Sequence, residues 1–229
     1  MNDYRNLEEQ IGIQIKNKQI LENAFVHRSY LNENKDFYLP SNEKMEFLGD
    51  SVLSLITSMY LYKYYPDLAE GEYTDIKAAI VRTESLGEAA QDLNLGSLLY
   101  LSHGEEKGQG RTNINLLADT FEALVAAIFI DIGFESAYHF VLKHLFKDRL
   151  DEIIKSKSYM SPKSHLQEIV QSIHKTLPVY RVVGEEGPEH KKTFKVSVYV
   201  NDSLISTAEG ASKKQAEEAS AKKALEKLQ

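Results

Sequence analysis

Apolar positions recur at three- and four-residue intervals over about the first 155 residues, the period of helices. Over 4–26 the core candidates are Leu7, Ile11, Ile13, Ile20, Leu21, Ala24 and Phe25. A polar loop follows at 32–41. A helix then starts at Ser41 or Asn42, either of which can cap it, and runs to about Tyr64, where Pro66 stops it. Its apolar stripe is Met45, Leu48, Val52 and Ile56. Ala69-Glu70-Gly71 reads as a turn, and one long helix is predicted over roughly 73–94, carrying Ile76, Ala79, Ile80, Leu86, Ala89 and Leu93. The glycine-rich, charged stretch 102–112 reads as a mobile loop. A strongly apolar helix is predicted over about 114–131 with Gly133 as its cap, and a last one over 135–155.

Beyond a short polar linker, 156–162, the period changes. Ser161-Pro162 opens a helix, 162–175, that buries Leu166, Ile169, Val170 and Ile173 and turns Gln167, Glu168 and Gln171 outward. Three strand-like runs follow at 179–185, 193–200 and 203–209. In the middle run Phe194, Val196, Val198 and Val200 alternate with Lys195, Ser197 and Tyr199, the pattern of a sheet covered on one face. Asn201-Asp202 supplies the hairpin turn. A closing helix, 213–228, buries Ala216, Ala219, Ala224, Leu225 and Leu228. The expected architecture is an all-α domain, 1–155, joined to a small α-β-β-β-α domain, 163–229.

The 229 residues include no cysteine, which excludes disulfides and thiolate metal sites and fits a reducing, cytoplasmic setting. The polar start Met1-Asn2-Asp3-Tyr4-Arg5 does not resemble a signal peptide, and no apolar run approaches the length of a membrane span. The net charge of −7 conceals a division. Residues 1–156 hold 15 Lys and Arg against 25 Asp and Glu, a net of −10, whereas residues 157–229 hold 12 against 9, a net of +3. Whole-chain charge argues against a nucleic-acid partner; its uneven distribution removes most of that objection and predicts two modules with different tasks.

Five carboxylates carry the chemical signal. Glu43, Glu46 and Asp50 stand at i, i+3 and i+7 on one side of their helix, where like charges repel. Asp119 and Glu122, at i and i+3, sit on the most apolar helix in the chain, with no Lys or Arg within a turn. A lone pair of acids is explained by the surface. Two pairs on apolar helices are not, because an unpaired buried carboxylate costs several kcal/mol unless it is protonated or holds a cation. Facing helices can present such pairs to a hard, oxygen-seeking ion. Neither motif contains histidine, which argues against zinc or di-iron and for Mg²⁺, with Mn²⁺ able to substitute. No Gly-Lys-Ser/Thr closes the glycine-rich stretch, so no nucleotide cofactor is expected. The tyrosines form no stacking platform for single strands.

The stretch Asn42–Leu53 resembles the motif of ribonuclease III, the metal-dependent endonuclease of double-stranded RNA. His27-Arg28-Ser29-Tyr30-Leu31-Asn32-Glu33 is similar to the segment upstream of that motif, and Ala69-Glu70-Gly71-Glu72-Tyr73-Thr74 to the turn before the next long helix. Gly104-Glu105-Glu106-Lys107 followed by Leu117–Leu124 resembles the second acidic motif. The resemblance covers nearly the whole chain, departing at Ser51, Lys77 and His103, none of them an acid. It implies metal ligands at Glu46, Asp50, Asp119 and Glu122, with Glu122 the most sensitive, and supporting catalytic roles for Glu43 and Glu70. It implies a homodimer with Phe47 at the contact, 5′-phosphate ends, and a place in rRNA and mRNA precursor processing.

The C-terminal module resembles a double-stranded-RNA-binding domain, which reads A-form shape across two minor grooves. The resemblance assigns RNA contacts to Gln167 and Glu168, to Pro188 and His190 in the 187–190 loop, and to Lys213 and Lys214. The lysine pair has separate support: Ser212 and Gln215 form a capping box, and a helix N-terminus flanked by lysine is an anion site. Lys222, Lys223 and Lys227 are expected to be solvated, and His27, His139, His144 and His174 to be structural or surface residues.

Overall fold

The computed structural model describes residues 3–188 and 192–228, and the chain divides into two compact units, Met1–Ser156 and Lys157–Gln229. In the first, α1 (Arg5–Ile11), α2 (Lys18–Asn23) and α3 (Arg28–Glu33) lead into the long α4 (Glu43–Tyr64). α5 (Glu70–Ile80), α6 (Thr83–Asp92) and α7 (His103–Lys107) precede α8 (Ile114–Ile132), α9 (Phe134–Val141) and α10 (Lys147–Ser156). α8 packs against both α4 and α6. Phe121, Leu124, Val125, Ala127 and Ile128 are all fully buried, so this helix is apolar almost all round, as a central helix must be. Among the described residues, no helix is long and apolar enough to cross a membrane.

Helices break where periodicity alone would run them on. Within 4–26, Gly12 (φ 73°) ends α1 and Asn17 starts α2, its side chain accepting from the Gln19 and Ile20 N–H groups. Ile15, between them, is buried, while Ile13 and Ile20 are only partly so. The predicted helix over 73–94 is two helices separated at Val81-Arg82. Glu70 and Gly71 belong to α5 rather than to a turn, and Glu72 accepts the Ala69 N–H at 3.0 Å. The break seats α6 so close to α8 that a Cβ at Gly87 would fall 2.2 Å from Ile114 Cδ1.

The stretch 102–112 is not an open loop. Ser102 caps α7 by accepting the Glu105 N–H, and Gly110–Thr112 forms a further tight turn. Arg111 fastens it: its guanidinium pairs with Glu106 and donates to the carbonyls of Gly96, Ser97 and Leu99 at 2.9–3.2 Å. Glycine count misleads here because one arginine satisfies three carbonyls that a loop would leave to water. The predicted helix over 135–155 is likewise interrupted, by a wide turn at Leu142–Phe146.

In the second unit α11 (Pro162–His174) and α12 (Lys213–Leu228) flank an antiparallel sheet, β1 (Val179–Glu186), β2 (Thr193–Val200) and β3 (Ser203–Gly210), in the order β1-β2-β3. Leu166, Val170, Val198, Val200, Ala221, Ala224 and Leu225 form its core. Each large aliphatic side chain there contributes on the order of 2 kcal/mol by leaving water. Two expected core positions lie outside it: Ile173 and Leu228 are exposed, each in the last turn of its helix beyond the sheet's cover. Ala219 is only half-buried, and Ser220 is buried instead, its Oγ donating to the Glu217 carbonyl.

Candidate metal centre and nucleic-acid interface

α4 and α8 carry the acids, and Gly49 brings the two helices into contact. A Cβ at Gly49 would stand 1.9 Å from the Glu122 carbonyl oxygen. With no side chain in the way, Glu46 of α4 meets Asp119 and Glu122 of α8, and one carboxylate oxygen of each lies within 4.8 Å of the other two. All three residues are partly buried. Among the described residues, none of the three carboxylates is held by an ion pair or a hydrogen bond.

The electrostatics follow. Burial pushes the Glu122 carboxyl up to about 8, with repulsion from Asp50, Glu46 and Asp119 added. Burial also raises Glu46, helped by the charges of Asp119 and Glu43, and it raises Asp119, which His27 and Arg28 hold back. Three crowded carboxylates resist full ionisation unless a cation joins them. Their donors are all oxygen, which suits a hard divalent ion.

Asp50 stands apart from this trio. It lies one turn along α4 from Glu46, rotated by about 40° around the axis, and is exposed. Its charge is nonetheless the strongest neighbouring influence on Glu122. Glu43 sits at the rim, accepting from the Ser41 hydroxyl at 2.7 Å and lying 3.6 Å from the Arg28 guanidinium. With Glu46, Asp119, Arg28 and His27 it lines a pocket of about 240 Å³. Glu70 is not brought to the trio. It opens α5, accepts from Thr74 Oγ1 at 3.3 Å, and lines a separate pocket of about 180 Å³ with Ser58, Tyr73 and Lys77.

His27 and Arg28 reach the acids through long-range contacts invisible to local pattern. The Tyr100 N–H donates to the Phe25 carbonyl and the His27 N–H to that of Tyr100, at 2.9 and 3.2 Å. Buried Asn42 ties the same segment to α4, its side chain donating to the Ala24 carbonyl at 3.1 Å. Nearby, the buried Glu22 carboxylate accepts from the Tyr38 and Tyr100 hydroxyls, locking α2 to the 100 region.

Residues 17–149 match the ribonuclease-III-like family model, and residues 162–228 match the double-stranded RNA binding motif. The chain belongs to the ribonuclease III family. Ribonuclease 3 of Dehalococcoides mccartyi is 40% identical over 229 residues, 100% of this chain and 96% of its own. That of Caldanaerobacter subterraneus subsp. tengcongensis is 43% identical over 222 residues, 97% of this chain and 96% of its own. A solved nuclease domain of ribonuclease III from Campylobacter jejuni, described for flexibility in its region of dimer formation, superposes with a TM-score of 0.59 at 33% identity, spanning 64% of this chain and 99% of its own.

The second unit places Gln167 and Glu168 on the exposed face of α11, as the sequence predicts. Glu168 is engaged with the Lys157 ammonium at 2.5 Å. Pro188 is exposed just beyond β1, and His190 lies outside the described residues. Ser212 caps α12, accepting the Gln215 N–H at 3.2 Å, and Lys213 and Lys214 are exposed in its first turn. The Lys213 ammonium is 3.6 Å from Glu185 and 5.6 Å from the centre of the Phe194 ring. Lys227 is exposed, as expected, and also donates to the Ile205 carbonyl at 2.8 Å. Phe47 is 78% exposed on α4, in line with exposed Leu55, Met59 and Tyr62.

Proposed function

We propose that the protein is a homodimeric, Mg²⁺-dependent endoribonuclease that cuts both strands of double-stranded RNA and leaves 5′-phosphate ends, working in the cytoplasm on rRNA and mRNA precursors. The observation that carries this reading is the meeting of Glu46, Asp119 and Glu122, unpaired and half-buried, on a chain that also bears a double-stranded RNA binding motif. Those three residues would hold the ion, with Asp50 one turn away as the fourth ligand. A bound Mg²⁺, or Mn²⁺ in its place, supplies an activated water and neutralises charge on the phosphoryl oxygens.

The chain's own groups divide the remaining work. Gly49 sets the spacing of the two acid-bearing helices. Glu43, steadied by Ser41 and Arg28, borders the pocket beside the trio and serves substrate or water handling there. Glu70 acts from its separate position in product handling. In the second unit, Gln167 and Glu168 meet ribose hydroxyls, the 187–190 loop with Pro188 and His190 enters the next groove, and Lys213 and Lys214 take phosphates at the α12 N-terminus.

Among the described residues each chain has one such acidic cluster, so two cuts call for two copies. The exposed Phe47, Leu55, Met59 and Tyr62 are an apolar face that a second copy would cover. Phe47→Asp is expected to turn a dimer into a monomer in sedimentation equilibrium while the helical circular-dichroism signal is unchanged. A Phe47→Asp protein that stays dimeric places the contact elsewhere.

The direct test is incubation with long duplex RNA and Mg²⁺, with chelator, single-stranded RNA and duplex DNA as controls. Cleavage restricted to duplex RNA and abolished by chelator is expected. Tight duplex binding without cleavage in any divalent ion would overturn the enzymatic reading and leave an RNA-binding protein.

A further inference from the structure

His27 has one ring nitrogen committed and one free. The residue caps α3: its Nδ1 accepts the Ser29 N–H at 3.3 Å and lies 2.8 Å from Ser29 Oγ. Ser29 Oγ itself accepts the Ser102 N–H at 3.1 Å, which leaves its own proton for Nδ1. A nitrogen that accepts from a backbone N–H carries no proton, so the neutral ring bears its proton on Nε2. Among the described residues Nε2 has no protein partner, and it is not among the polar atoms sealed from solvent. His27 lines the 240 Å³ pocket whose other polar walls are Arg28, Asn42, Glu43, Glu46 and Asp119.

That pocket offers a neutral donor facing carboxylate acceptors. The Arg28 guanidinium, 3.6 Å from Glu43, offsets only one of the three acids, so a phosphate not held by the ion would meet net negative charge. A hydroxyl satisfies both sides, since it accepts from Nε2–H and donates to a carboxylate. We propose that His27 and the neighbouring carboxylates form a subsite for a ribose 2′-hydroxyl of the cleaved strand, next to the scissile bond, and that this contact helps the protein select RNA over DNA. The proposal rests on the nuclease reading above and adds a residue and a ligand group to it.

His27→Asn separates the two roles, because asparagine can cap α3 but offers no donor at the position of Nε2. The measurement is a double-mutant cycle. Wild type and His27→Asn each cleave short duplexes that carry ribose or a single 2′-deoxy sugar at each nucleotide flanking the cleavage site, and kcat/KM is compared. At one flanking position wild type is expected to lose about tenfold on the 2′-deoxy duplex, the worth of one hydrogen bond. His27→Asn is expected to be about tenfold slower on ribose and indifferent to the deoxy substitution there. Thermal melting of His27→Asn and its affinity for uncut duplex in Ca²⁺ are expected to match wild type.

Equal sensitivity of both proteins to the deoxy sugar at every position overturns the subsite. Full activity of His27→Asn on ribose does the same and leaves His27 as a helix cap only. Absence of duplex cleavage by wild type removes the nuclease reading itself and the subsite with it, so the two failures are distinguishable.

Discussion

Glu122→Gln is expected to bind duplex RNA as wild type does and to cleave it about a thousandfold more slowly, the loss of several kcal/mol of transition-state stabilisation when an ion's ligand is removed. The duplex-binding unit is a separate compact body, so retention of binding follows from the architecture. A metal-free measurement distinguishes this loss from misfolding. The Glu122 carboxyl is raised by burial from 4.5 to about 8 in the fold. The folded state therefore holds a proton that the unfolded chain releases. Stability from this group is fully present below pH 4.5 and is lost as pH rises towards 8. In chelator, wild type is expected to melt at progressively lower temperature from pH 5 to pH 8.5. Glu122→Gln, which cannot ionise, lacks that part of the decline and melts higher at the alkaline end. Adding Mg²⁺ is expected to reverse the order, stabilising wild type and leaving the variant little changed. Ion binding must also expel the retained proton, so apparent Mg²⁺ affinity rises by up to about tenfold per pH unit below 8. Cleavage by Glu122→Gln at the wild-type rate would refute the ligand assignment.

The same residues show what could be read from the chain. Acids spaced i, i+3 on an apolar helix with no cation nearby announced Asp119 and Glu122, because burying charge is costly enough to leave a mark in local pattern. Glu46 followed for the same reason. Asp50 was less legible: spacing places it on the acidic side of α4, whereas the contact made at Gly49 decides which acids converge. Glu70 could not be located from spacing at all, since its relation to the trio depends on how α5 packs. Element types in the second unit were legible because strand alternation and helix caps are local signals. The breaks at Val81-Arg82 and Leu142–Phe146 were not, because no glycine or proline marks them and the segments they join pack on distant helices, α6 on α8 and the 142–146 turn on α6. His27 illustrates the remaining gap. In sequence it heads the segment before the acidic motif with no chemical role marked, and its position beside the acids comes from Tyr100 and Asn42, 73 and 15 residues away.

Gly49→Ala tests the step between fold and chemistry. A single methyl group at this position would overlap the Glu122 carbonyl oxygen, 1.9 Å away, and the carbonyl carbon, 2.5 Å away. Both are backbone atoms of a buried helix, so neither can rotate aside. α4 and α8 must separate or shift in register, and the packing between them supplies much of the unit's core. Overpacking of this kind costs about 1–3 kcal/mol, and the expected fall in melting temperature is roughly 2–12 °C for a domain of this size. Function is expected to suffer more than stability. A ligand set must be held within about 0.5 Å, and moving one helix by an ångström takes Glu46 out of register with Asp119 and Glu122. At a temperature where the variant is fully folded, cleavage is expected to drop about a hundredfold, with duplex binding unchanged. Raising Mg²⁺ would restore part of the rate if the displaced acids still form a weakened site. A Gly49→Ala protein with wild-type melting and cleavage would show that the helices approach less closely than the site requires, and the account of how α4 presents its acids would have to be replaced.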